Sequence, residues 1–512
     1  MMRSLFSGVS GLKSHQTRMD VIGNNIANVN TTGFKSSRVT FADTLSQTMT
    51  DASAPADTKG GTNPKQVGLG TGVASIDTLF TDGSTQSTGK NTDVALSGNG
   101  LFVVKQGNET YYTRDGAFEF DADGNYVLPG SGLYVQGWMA SDGVLTTNGS
   151  TQNIVIQSGK SMASAATAMV TYENNLNAAA LTITNISGGT VSKATASADN
   201  TVTLTLEDGT TATGTNGTTY NVGDTYGASK IKTITQSAAA DTATASTSNP
   251  VTLTMSDGTT VTETSGTYTK GSSLPVTTTV TVYDTLGNTH SIPIYFTKSS
   301  VDSTNGNTWT VSVNTDGSGT STISESDGST TAVKMTDVKL NFTTSGKYNS
   351  GSPQTATLTL NNGAAGTQQV TLDLSALTQY SGNSTVKGNA DGNAAGTLKS
   401  VSIDASGVIT GVYTNGVRQS EAQIAVAQFT NAAGLTKTGS SLYQESNNSG
   451  TANVKTASDL GVTITPSALE MSNVDIANEF SDMIITQRGF QSNSKIITVG
   501  DEMLETLINM KR

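Results

Sequence analysis

MSNVDIANEFSDMIITQRGFQSNSKIITVGDEMLETLINMKR, residues 471–512, carries an apolar residue at a strict interval of seven: Ile476, Met483, Phe490, Ile497 and Leu504. Seven residues nearly close two helical turns, so these side chains return to one stripe and the spacing predicts a coiled-coil seam. Half-way positions are weaker, since Phe480 and Ile508 are apolar but Gln487, Ser494 and Asp501 are not. The seam is narrow and wants a partner helix. The alternative is an amphipathic helix lying on the core of its own domain. Ser472, with Asp475 three residues on, fits an N-terminal capping box, and Lys511 and Arg512 suit the negative end of the helix dipole.

The partner is expected in the first thirty residues. Leu5, Leu12, Met19 and Ile26 repeat at the same interval, with Val9, Ile22 and Val29 widening the stripe. Residues 1–40 carry Arg3, Lys13, Arg18, Lys35 and Arg38 against Asp20, a net of +4, whereas residues 470–512 are net −3. Opposite charge on two matched heptad helices favours pairing, although each exposed ion pair is weak. The two ends of the chain should therefore meet. The first helix should fail near Asn24, Asn25, Asn28 and Asn30, whose side chains compete for backbone hydrogen bonds, with Gly33 ending it.

A chain of 512 residues has room for several cores. Only 13% of it is charged, against about 25% in an ordinary soluble protein, and Ser, Thr, Asn and Gly abound; this reads as extracellular all-β. A net charge of −12 with no basic cluster argues against a nucleic-acid partner. The absence of cysteine excludes disulfides and thiol chemistry, and two histidines, His15 and His290, leave little for a histidine-based site. No cofactor or metal site is expected. No apolar run approaches the roughly 18 residues that span a bilayer, so no membrane insertion is expected. MMRSLFSGVSGLKSHQ is no cleavable signal peptide, because Ser7, Gly8, Ser10 and Gly11 interrupt any apolar region.

Along the chain, 41–90 is Gly, Thr and Ser-rich and by composition reads as a linker or irregular β segment. Short strands follow from Leu101 to Met139. Asp121, Asp123 and Asn125 invite a calcium-loop reading that fails, because Gly124 is fourth rather than sixth and the twelfth position, Gly132, is no acid; a hairpin turn is expected instead. ATASADNTVTLTLEDGTTAT (194–213) matches ATASTSNPVTLTMSDGTTVT (243–262) at 14 of 20 positions, which predicts two copies of a hairpin with an Asp-Gly turn. Val276–Lys298 alternates into another hairpin, whose flanking Asp284 and His290 are read as exposed polar residues. Strands return from 396 to 448 and are expected to pair with those before Tyr172, so that the chain goes out and comes back.

NNIANVNTTGFKSSR (24–38) and SNVDIANEFSDMIITQRGFQSNSKII (472–497) resemble the N- and C-terminal signatures of the bacterial flagellar rod and hook family, and TRDGAFEFDADGNYVLP resembles its first β domain. Val276–Lys298 and LTQYSGNSTV (377–386) resemble the hook members rather than the shorter rod proteins. The resemblance implies a mainly β multidomain chain with a terminal α-helical coiled-coil region, nested domains built from both ends, and an inserted outer β domain. The expected divisions are 1–32 with 470–512 for the helical core, 33–90 with 450–469 for an ordered connector, 91–174 with 387–449 and 271–386 for two β domains, and 175–270 for the insert. It further implies a structural subunit and no enzyme, exported by the flagellar type III apparatus without a cleaved signal and polymerising into a flexible, torque-bearing tube. Its partners would be itself, the distal rod, hook cap and hook-filament junction proteins. Leu5, Leu12, Met19, Ile26, Ile476, Met483, Phe490, Ile497 and Leu504 would carry self-assembly. A secreted oligomeric adhesin or carbohydrate-binding β protein is the reading from another class. A hydrolase is disfavoured: Asp115 and Glu119 sit in ordinary strand and turn contexts, and no Gly-Xaa-Ser-Xaa-Gly or His-Glu-Xaa-Xaa-His motif occurs.

Overall fold

The computed structural model describes residues 2–510 except 56, 58, 192, 197–200, 237–241, 303, 305, 316–318, 326, 327, 352 and 365; Lys511 and Arg512, expected at the helix end, lie outside the described residues. The chain divides into two units, one from residues 1–160 and 397–512 and the other from 161–396.

Both chain ends build the first unit. Helix α1 (Met2–Ala27) runs antiparallel to α2 (Ile476–Met510), with Leu5 beside Gly500, Gly11 beside Asn493 and Arg18 beside Asp482. The asparagines after the heptads end α1 as expected, because their side chains capture the departing backbone. Asn25 Nδ2 donates to Ser37 O at 2.8 Å, and its Oδ1 accepts from Ser37 N at 3.0 Å. Gly33 then turns the chain at a φ of +65°, with the backbone of Arg114 and Asp115 where a Cβ would stand. At the other end Asp475, not Ser472, caps α2, accepting from Ala477 N at 2.9 Å and Asn478 N at 3.3 Å. The helix cannot start earlier because the neighbouring Asn473 is held elsewhere, its Oδ1 accepting from Ser36 N and its Nδ2 donating to Leu79 O, each at 2.8 Å.

The stretch that reads as a linker by composition is paired β structure. Ser37–Asp43 runs antiparallel to Thr71–Thr78, and Ser46–Thr50 to Lys65–Gly68. Outgoing and returning chain then pair directly, Thr85–Ser87 with Ala468–Glu470 and Val94–Ser97 with Thr463–Pro466. In the β body beyond, Leu133–Ser141 pairs with Arg418–Ile424, and Glu109–Thr113 with Leu442–Gln444. Its core of Phe102, Phe118, Tyr126, Val135, Ile154, Ile409 and Ile424 thus draws on both halves of the sequence. Asp121 is a turn residue there, its Oδ1 accepting from Asp123 N at 3.0 Å and Asn125 N at 2.8 Å.

Beneath the helices lies a buried ion cluster. Glu470 Oε1 accepts from Lys35 Nζ at 2.5 Å and Gly83 N at 2.8 Å, while Oε2 accepts from Arg114 Nη1 at 3.0 Å. All three charged side chains are at most 1% exposed. Burial pushes the Lys35 ammonium down, and the Glu470 carboxylate opposes that shift.

The second unit has two cores. A five-stranded sheet (Val276–Tyr283, Thr289–Ser300, Thr308–Ser312, Val338–Phe342, Tyr348–Ser350) and a six-stranded sheet (Thr320–Ser324, Thr330–Lys334, Gln354–Thr359, Thr367–Tyr380, Met169–Asn177, Lys387–Ala390) share the core of Tyr172, Phe296, Trp309, Phe342 and Val370. Met169–Asn177 and Thr367–Tyr380 pair in parallel. Asp284 and His290, read from sequence as exposed, are buried here: the opposite sheet supplies Glu325 and Thr331, which sequence proximity could not reveal.

The repeat builds the other core, around Ile186, Leu204, Ile234 and Leu253. Val202–Leu206 with Thr211–Thr213 and Val251–Met255 with Thr260–Glu263 form equivalent hairpins. Their turns match atom for atom, Asp208 Oδ1 accepting from Thr210 N at 2.9 Å and Oγ1 at 2.6 Å, and Asp257 Oδ1 from Thr259 N and Oγ1 at the same distances.

Removing one member of the ion cluster strands the others. Glu470→Ala should destabilise the first unit by about 3–5 kcal/mol, whereas Lys90→Ala, which breaks the exposed pair with Glu119, should cost under about 1 kcal/mol. Urea unfolding of the unpolymerised chain followed through this unit checks both; equal effects would remove the cluster's special standing.

Candidate assembly surface

The seam between α1 and α2 does not fall where apolar periodicity alone puts it. Leu5, Leu12, Met19 and Ile26 on α1, and Met483, Phe490, Ile497 and Leu504 on α2, are each half-buried, while Ile476 is exposed. Apart from Ile22, the residues closed off most completely in the helix pair are small or polar. Thr486 is 0% exposed, and Ser14, Asn25, Gly8, Gly11 and Gly500 are also buried. A side chain at Gly500 or at Gly489 would meet Leu5 or His15 at 2.7 Å, and one at Gly11 would meet the Asn493 amide at the same distance. Glycine at these crossings sets the approach of the two helices, because helix separation follows the size of the contact residues.

Thr486, Asn493 and Gly500, with Glu479 before them, are themselves seven residues apart. They sit three residues after the apolar positions, and together the two sets make the usual three-then-four heptad spacing. An apolar scan passes over them. Small and hydrogen-bonding residues at the same period were the available signal. Polar links complete the contact: Arg18 pairs with Asp482 at 3.0 Å, and Asn25 Nδ2 donates to Glu479 Oε1 at 2.9 Å. Burial raises the Glu479 carboxyl above its usual range against the lowering effect of Asn25.

Because the small-residue stripe faces α1, a second apolar stripe of α2 faces away from it. Ile484 and Ile485 near its start, and Val499 and Met503 further on, are exposed, Ile485 to 61%, with Phe480 and Ile496 on its flanks; Leu507 and Ile508 are exposed because they continue the inner face past the start of α1. Phe6 and Val9 of α1 and Leu45 and Met49 of the adjoining hairpin are exposed as well. An apolar surface this long on one element marks a contact for another molecule.

Among the described residues no group of three or more His, Asp or Glu could hold a metal ion, and no helix is long and apolar enough to cross a membrane.

Comparison with known proteins agrees with this layout. Family models match residues 5–35 (flagella basal body rod protein), 95–192 (flagellar hook protein FlgE/F/G D1 domain), 257–393 (flagellar basal body protein FlaE D2 domain) and 465–510 (flagellar basal body rod FlgEFG protein C-terminal). Flagellar hook protein FlgE of Treponema pallidum is 39% identical and that of Borreliella burgdorferi 34% identical, each over 100% of both chains. The Salmonella typhimurium protein of the same name is 31% identical over 99% of this chain and 100% of its own. With similarity running end to end and the terminal models falling on the two paired helices, the chain belongs to the flagellar hook protein family, as a structural and non-enzymatic subunit of the hook in the extracellular flagellum.

Proposed function

We propose that the terminal helices are the polymerisation element of this subunit, and that the outward stripe of α2 is covered by helices of neighbouring copies. The exposed side chains of Ile484, Ile485, Val499 and Met503 carry this reading, since they stand open to solvent on the face of α2 turned away from α1. Head-to-tail contacts of one surface against a different one do not close on themselves and generate a helical tube. Leu5, Leu12, Met19, Ile26, Met483, Phe490, Ile497 and Leu504 then act indirectly, by holding α1 against α2 so that the outward stripe is presented. Ile476, being exposed, belongs with the outward contacts. The distal rod, hook cap and hook-filament junction proteins would meet the same helical surface, and the chain would leave the cell through the flagellar type III apparatus with its N-terminus uncleaved.

The β domains form the outer layers of the tube in this proposal, with residues from about 182 to 272 as an inserted body. Supporting this division, the chain enters and leaves that body at one place. Ile183 N donates to Ser272 O and Gly271 N to Ile183 O, both at 2.8 Å.

Ile485→Asp together with Met503→Asp puts two charges on the outward stripe. The melting temperature of the soluble subunit should move by under about 2 °C, as for surface substitutions, while tubes disappear from electron micrographs. Undiminished tube formation would remove the proposed role. Gly500→Leu should act differently, forcing the helices apart and costing about 1–3 kcal/mol in the subunit itself, as overpacking does. Helical circular dichroism during thermal unfolding distinguishes it from the double variant.

Replacing residues 181–271 by a short Gly-Ser linker should leave the remaining fold and tube formation intact, because joining ends this close costs little loop entropy. Circular dichroism and microscopy of the variant test this, and a misfolded subunit would return the segment to the core.

A further inference from the structure

His290 sits at one end of the sandwich in the second unit with each ring nitrogen facing a carboxylate. Nε2 lies 3.3 Å from Asp284 Oδ2, on the hairpin that carries the histidine, and Nδ1 lies 2.8 Å from Glu325 Oε1, at the end of strand Thr320–Ser324 in the opposite sheet. These are the titratable groups that face the ring. Thr331 Oγ1, also from the opposite sheet, stands 3.3 Å from the same Nδ1. The imidazole is 2% exposed, and Glu325, Asn288, Ser329 and Asn362 border a recess of about 390 Å³ beside it.

Hydrogen-bond accounting fixes one end of this array. Asp284 Oδ1 accepts from Leu286 N at 2.8 Å and Asn288 N at 2.9 Å, and Oδ2 from Asn288 Nδ2 at 3.0 Å and Asn362 Nδ2 at 2.6 Å. Burial works against its charge, but the amides of Asn288 and Asn362 outweigh that and hold the carboxyl at about 2. Asp284 is therefore an acceptor at every ordinary pH, and Nε2 must carry a hydrogen to meet it. At the other end a contact of 2.8 Å between Nδ1 and Glu325 needs one further hydrogen between them.

We propose that this single proton between His290 and Glu325 is a clamp joining the two sheets, and that it has two resting states. With the proton present, the ring bridges Asp284 and Glu325 and ties the five-stranded sheet to the end of the six-stranded one. When it leaves, the Nε2–H tautomer remains on Asp284, Nδ1 accepts from the Thr331 hydroxyl, and the Glu325 carboxylate turns into the recess. The charge-assisted contact needs the imidazolium and the ionised carboxylate together, so it is broken when the shared proton leaves.

With only two histidines in the chain, the test is direct. Nitrogen-15 spectra of the histidine-labelled, unpolymerised full chain, assigned with His15→Gln, should show His290 protonated on both nitrogens below the transition and on Nε2 alone above it. Amide exchange in Thr320–Ser324 and Thr330–Lys334, corrected for its intrinsic pH dependence, should quicken about tenfold across the same interval, the size of one charge-assisted hydrogen bond. Glu325→Gln should abolish that pH dependence, since its amide donates to Nδ1 without an ion. Thr331→Val should shift the transition to higher pH by removing the alternative donor. An Nδ1–H tautomer above the transition, exchange indifferent to it, or an unchanged profile in Glu325→Gln would overturn the clamp.

Discussion

The first unit depends on one carboxylate. Glu470 satisfies the Lys35 ammonium, a backbone amide at Gly83 and the Arg114 guanidinium from the β body, all out of water. A buried ion of this kind does little for net stability, since desolvation offsets most of the attraction. Its effect is geometric: a shift of the returning strand by one residue would turn the carboxylate to the other face and leave Lys35 and Arg114 without an anion. The pairings of Ala468–Glu470 with Thr85–Ser87 and of Thr463–Pro466 with Val94–Ser97 are held in register with that requirement. α2, capped five residues after Glu470 by Asp475, starts from a fixed point relative to α1.

Much of the architecture was legible because it rests on periodicity and local turn chemistry. The heptads located both helices, the asparagines marked the end of the first, and the Asp-Gly pairs of the repeat predicted two hairpins that match in their hydrogen bonds. What stayed hidden depends on residues far apart in sequence. The order of the stretch from Phe41 to Lys90 comes from its pairing with itself and with the returning strands, which composition does not report. The burial of His290 requires Glu325 and Thr331 from the facing sheet.

The candidate site was half legible. The apolar heptad positions border the contact between α1 and α2, but its closest points are glycines, a threonine and an asparagine, which hydrophobicity passes over. A helix seam read only from apolar residues is displaced toward its edges whenever the backbones come close. That displacement leaves the outward stripe of α2 free, so close packing of α1 on α2 and an apolar surface left open on α2 have one cause.

The interleaving of the two chain ends also orders events in time. Lys35 and Glu470 are 435 residues apart, and nearly every sheet contact of the first unit that joins its two segments waits for the returning strands. A chain emerging from its N-terminus can complete the second unit, which is continuous from 161 to 396, well before the first. The first unit closes only when the last fifth of the polypeptide has arrived, because contacts of large sequence separation bear the full entropy of loop closure. Until then the N-terminal segment has only its local hairpins, and α1 at its leading end lacks the helix it packs against.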